Sequence, residues 1–143
     1  MLGGSLYQTY VIKEAVKMGY YVISCDYLPN NPGHRYAHEY YNISTTDKEA
    51  VYKLAKDIQV DGIVAYASDP AAPTAAYVCE KLGLPTSPYS SVEILSRKDL
   101  FRQYLSEHNF NVPNSFSCST YKEALDNLYK INLPAMVKPV DSS

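Results

Sequence analysis

The residues whose types and spacing could do chemistry fall into two groups. The first is the glycine turn Gly3-Gly4 in LGGSLYQ, with Asp26 in CDY following about 20 residues later. Glycines between a strand and a helix let backbone N–H groups approach an anionic ligand, and an acid closing the next strand can bind a ribose hydroxyl. The full G-x-G-x-x-G pattern is not met, because no further glycine follows Gly3 and Gly4 in this stretch to let the backbone approach a pyrophosphate. Asp69 in SDPAAP belongs at the same edge of a sheet. It would either contact a substrate amine or hydroxyl, or stabilise the N-terminus of the helix that follows. Gly3, Gly4, Asp26 and Asp69 are therefore the candidate substrate-binding residues.

The second group is a pair of lysines. Lys98 stands at the start of a helix, and Lys138 ends an apolar run (PAMVK) just ahead of a polar loop. Singly such lysines are solvated surface groups; together they suit a cleft where point charges meet phosphate oxygens. No Ser/His/Asp or Cys/His constellation assembles. His34 and His38 lie near a loop and read as surface residues. Cys25, Cys79 and Cys118 show no CxxC and no zinc-ligand spacing with the histidines, so they read as buried structural thiols.

These residues need elements to hold them. Met1 and Leu2 read as the end of a buried strand, Leu6–Met18 as a helix with Leu6, Tyr10, Ala15 and Met18 among its apolar positions, and Gly19 as its stop. YVISC (21–25) and Glu39–Ile43 read as strands, with a turn-rich loop between them. A helix to about Ile58 follows, with Thr46 as N-cap and Glu49 three residues on. GIVAYA (62–67) has the all-apolar character of a central parallel strand, and a helix over 74–82 ends at Gly83. Strands alternating with helices imply right-handed crossovers and a parallel sheet covered on both faces.

After Pro88 the rhythm changes. A short helical turn at 92–95, a helix at 98–108, a strand at 114–118, a helix at 121–131 and a strand at 135–138 are expected. A domain boundary falls near 88–97, giving one domain over 1–96 and a second, incomplete one over 97–143.

Length and composition limit the function classes. At 143 residues, with 46% hydrophobic and 20% charged residues, the chain can bury a core and keep a charged surface. A net charge of −2 argues against nucleic-acid and anionic-membrane partners. No apolar run approaches the roughly 20 residues of a membrane helix. No signal-peptide pattern follows Met1, and a cytoplasmic location is expected.

Taken together, the stretches from LGGSLYQ to YYNIS, SVEILSRKDLFRQYLSEHNFNVP and LPAMVKPVDSS resemble the ATP-grasp superfamily, in its biotin-carboxylase-like or carbamoyl-phosphate-synthetase-like arrangement. The resemblance implies an α/β fold: a Rossmann-like pre-ATP-grasp domain with helices on both faces of its sheet, then an incomplete α+β ATP-binding lobe. It implies that Lys98 and Lys138 contact ATP phosphates and that Ser142 and Ser143 open the loop that closes over them. The glycines of that loop and the acids that hold Mg2+ would lie beyond Ser143. The implied reaction is ATP-dependent ligation of a carboxylate (or bicarbonate) to an amine through an acylphosphate, with these 143 residues inactive by themselves. Small-molecule carboxylate and amine partners follow, and a homodimer through the first domain is possible. Two rival readings stay open: a nicotinamide- or nucleotide-sugar-binding Rossmann enzyme with a degenerate glycine turn, and a small-molecule-binding module without chemistry.

Overall fold

The computed structural model describes residues 1–141. Two parallel strands, β1 (Ile23–Cys25) and β2 (Glu39–Tyr41), pair in register Ile23–Glu39, Ser24–Tyr40 and Cys25–Tyr41. Leu2 forms parallel bridges to Cys25 on one side and Ala65 on the other. The extended segments therefore lie in the order β2, β1, Leu2, Ala65, and numbered along the chain this is the 3-2-1-4 order of a Rossmann half. The Leu2 N–H donates to the Val64 carbonyl at 2.9 Å, and the Gly3 N–H to the Cys25 carbonyl at 2.8 Å. GIVAYA thus contributes a one-residue bridge rather than the expected six-residue strand, with Val64 and Tyr66 about half exposed.

Helices cover the sheet from both faces. Successive strand residues point to opposite sides. Cys25 and Leu2 join a core cluster with Val51 and Ala55 of α2 (Lys48–Asp57) and Val78 of α3 (Ala72–Leu82). Ser24 faces the other way, toward His34 and the side of α1 (Leu6–Lys17). α1 turns in Gln8, Thr9 and Ile12, not the expected Leu6, Tyr10 and Met18, which are exposed. Apolar spacing misjudges this helix because its buried face is two-thirds polar. The N-cap of α2 is Asp47, which accepts from the Ala50 N–H at 3.1 Å, in place of Thr46. Gly83 ends α3 at φ +69°, the left-handed cap that favours glycine. Cys25 and Cys79 are buried as expected, whereas Cys118 is exposed.

The chain divides into two compact units, Met1–Glu93 and a second beginning at Ile94, the division falling within α4 (Tyr89–Ser96). The second unit holds α5 (Lys98–Glu107), α6 (Tyr121–Asp126) and a 3-10 turn at Leu128–Lys130, so the expected helix over 121–131 is interrupted. Residues 114–118 and 135–138 form no strand, and none of residues 94–141 is buried. A strand needs a neighbour to complete its backbone hydrogen bonds. The PAMVK segment has no ladder partner among the described residues, and Met136 and Val137 are 80% and 92% exposed.

Candidate functional site

Parallel α/β sheets bind ligands outside the carboxyl ends of their strands. In the first unit that edge is formed by the glycine turn, by the loop after Cys25 and by the turn after Ala65. Asp26, 7% exposed, ties two of these together. Its Oδ2 accepts from the Gly4 N–H at 3.0 Å and from Asn31 Nδ2 at 2.8 Å, and its Oδ1 from the Leu28 N–H at 3.0 Å. The Tyr40 hydroxyl donates to the Asp26 carbonyl at 3.0 Å. Burial next to this acid pushes the Cys25 thiol up to about 11, so Cys25 stays an uncharged core group at neutral pH.

The glycine turn is internally saturated. The N–H groups of Gly3, Gly4 and Ser5 go to the Cys25 carbonyl, Asp26 and Gln8 Oε1, and the Gly4 carbonyl accepts from the Gly33 N–H at 2.7 Å. The His34 ring lies against Gly4 so closely that a Cβ there would come within 2.1 Å of it. His34 is fixed in turn by Ser24 Oγ at Nδ1 (2.9 Å), by the Leu28 carbonyl at Nε2 (3.0 Å) and by the Tyr40 ring, 4.0 Å between centroids. A turn whose donors are spent, with an imidazole packed on it, is poorly made to receive a pyrophosphate. This geometry weighs against the nicotinamide reading. Asp69 begins a 3-10 turn (Asp69–Ala71) ahead of α3 and is exposed, with no side-chain cap bond formed at either helix start.

Sequence reasoning missed Gln8, Asn31, Gly33 and His34. One signal was present: NPGH places a glycine directly before the histidine, and Gly33 is needed because a Cβ there would meet the Gly4 carbonyl at 2.7 Å.

Within the second unit, Lys98 is the first residue of α5, half buried, and its backbone N–H donates to the Val140 carbonyl at 2.8 Å. The start of α5 therefore lies against the segment carrying Lys138, which is exposed. The neighbouring Arg97 makes a two-point pair with Asp99, at 3.1 and 2.7 Å, and holds that carboxyl below its ordinary range. Ser142 and Ser143 lie outside the described residues. Among the described residues no three His, Cys, Asp or Glu side chains gather to hold a metal, and no helix is long and apolar enough to cross a membrane.

No family model matches the chain. Over its whole length it is 32% identical to a formate-dependent phosphoribosylglycinamide formyltransferase of Burkholderia mallei, and 28% identical to one of Mannheimia succiniciproducens. It spans 36% and 37% of those two proteins, about a third of their length. Among solved structures, an L-amino acid ligase from Bacillus licheniformis matches 99% of the chain (TM-score 0.74, 24% identity, 36% of that protein). A phosphoribosylglycinamide synthetase from Anaerococcus prevotii matches 93% (TM-score 0.73, 22% identity, 34% of that protein). The homologues and structural neighbours of this chain are ATP-grasp enzymes, and its fold is that of their N-terminal domains.

Proposed function

We propose that this chain provides the substrate-binding first domain and the opening of the ATP-binding lobe of an ATP-dependent carboxylate–amine ligase. The observation that carries the proposal is the identity running over the whole chain to a formyltransferase whose name pairs formate with an amine acceptor. In the chemistry proposed, a carboxylate oxygen attacks the γ-phosphorus of ATP and ADP leaves. The amine nitrogen then attacks the acyl carbon, and phosphate departs with the carboxylate oxygen as the amine loses a proton. Such reactions depend on positioning and on neutralising phosphate charge.

The chain's own parts in this are limited and specific. Lys98 and Lys138 hold phosphate oxygens as point charges. Gly3, Gly4, Asp26 and Asp69 form the edge that receives the small-molecule substrate. Asp26 does so through the backbone it fixes, and Asp69 through its exposed carboxylate. One solved neighbour, a biotin carboxylase domain, is described as a dimer with MgADP and bicarbonate. Among the described residues no three acidic, histidine or cysteine side chains gather to hold magnesium. We extend the homodimer through the first domain and a cytoplasmic location to this protein as part of the same proposal.

The test is ATP-dependent phosphate release by the full-length protein, screened over small carboxylates with an amine acceptor. Carboxylate-dependent release is expected. Lys138→Ala should lower kcat/KM for ATP about 10- to 100-fold, the size of one lost charge-assisted phosphate contact. Unchanged ATP use by that variant would remove Lys138 from the site.

A further inference from the structure

Counted from Gly3, the G-x-G-x-x-G spacing falls on Gly3, Ser5 and Gln8. The third glycine of that pattern exists to let helix and strand pack closely. Here a glutamine occupies the place, and its side chain is 3% exposed. Its amide is used at both ends. Oε1 accepts from the Ser5 N–H at 3.0 Å and contacts Ser5 Oγ, while Nε2 donates to the Tyr66 carbonyl at 2.6 Å and to the Ala67 carbonyl at 3.4 Å.

The far end of that bridge is unusual backbone. Ala67 has φ +49°, a left-handed conformation that crowds a Cβ against the following carbonyl and that residues other than glycine rarely adopt. Such residues persist where the surroundings over-determine them. Ala67 directly precedes Ser68 and Asp69. At the near end, Gly3 has φ +101°, and a Cβ on it would meet the Gln8 side chain at 3.1 Å. One buried amide thus joins the turn after the first extended segment to the turn after the fourth.

We infer that Gln8 is a positioning residue of the substrate edge: it holds the Tyr66–Asp69 turn against the glycine turn and so sets where Asp69 stands. The inference rests on the reading of that edge as the amine-substrate site.

Gln8→Ala and the near-isosteric Gln8→Glu test it in the full-length protein. Glutamate fills the same space but, when ionised, has no donor for the Tyr66 carbonyl. Amide hydrogen exchange is expected to quicken at least tenfold over residues 67–69 in both variants, with the α2 amides unchanged. With formate and phosphoribosylglycinamide as the probe pair, KM for the amine should rise at least tenfold while KM for ATP stays within about twofold.

Unaltered exchange at 67–69 would overturn the inference, as would quickened exchange in Gln8→Ala with full retention in Gln8→Glu, which would make Gln8 a space-filler. Quickened exchange with an unchanged amine KM would overturn the positioning role while leaving the ligase reading intact. A wild-type protein that releases no phosphate with any carboxylate fails the ligase reading instead, and the exchange result then decides the Gln8 bridge alone.

Discussion

The two units of this chain obey the same backbone chemistry and differ in what they bury. Residues 1–93 enclose Leu2, Ile12, Cys25, Val51, Ala55 and Val78, each no more than 4% exposed, and hold a buried carboxylate that accepts three hydrogen bonds. From Ile94 onward no described residue is buried, and Phe110, Leu133, Met136 and Val137 are 61–92% exposed. Ordering a residue costs about 1–2 kcal/mol of backbone entropy, which apolar burial must offset. The first unit has the means to offset it. The second has helices with sound local signals, such as Thr120 capping α6 through the Glu123 N–H at 3.1 Å, but no packed interior among its described residues. Secondary structure and tertiary packing are separate achievements, and the described residues of the second unit show the first without the second.

The largest expected effect is in amide hydrogen exchange on the 143-residue chain. Amides of α2 and α3 should be protected by orders of magnitude more than those of α5 and α6. Equal protection in both would break the comparison, because it would require burial that the second unit does not show. A smaller effect separates single substitutions. Gly4→Ala drives a Cβ into the His34 ring and should cost about 1–3 kcal/mol by chemical denaturation. Gly62→Ala meets nothing within 4 Å, and Val137→Ala removes atoms that are 92% exposed, so both should stay within about 0.5 kcal/mol. A costly Val137→Ala in the isolated chain would show that the second unit packs after all.

What the sequence disclosed follows the same divide. Alternating strands and helices, the glycine turn and the Gly83 stop are local signals, and each corresponds to an observed feature. The terminal PAMVK run reads as a buried strand from its composition, but burial is a property of neighbours, and none pairs with it among the described residues. The edge at the carboxyl ends of the strands was partly readable for a related reason. Gly3, Gly4 and Asp26 announce themselves by type and spacing. Gln8 and His34 matter because of what they touch, 58 residues away at Tyr66 and 10 residues away at Ser24. Contacts of that span carry no local pattern. Lys98 and Lys138 pair by their places at a helix start and ahead of a polar loop, the resemblance adds ATP as their ligand, and the bond from the Lys98 N–H to the Val140 carbonyl joins the segments that carry them.

The proposed acylphosphate would carry an oxygen of the carboxylate into the phosphate that leaves, and isotope labelling follows that oxygen. The full-length protein would be run with ATP, an amine and a carboxylate labelled with 18O in both oxygens. If the carboxylate takes the γ-phosphoryl group, each phosphate released carries one labelled oxygen by mass spectrometry. Phosphate released without label would mean that water, and not the carboxylate, attacks ATP, and would contradict the assignment of this chain to a carboxylate–amine ligase.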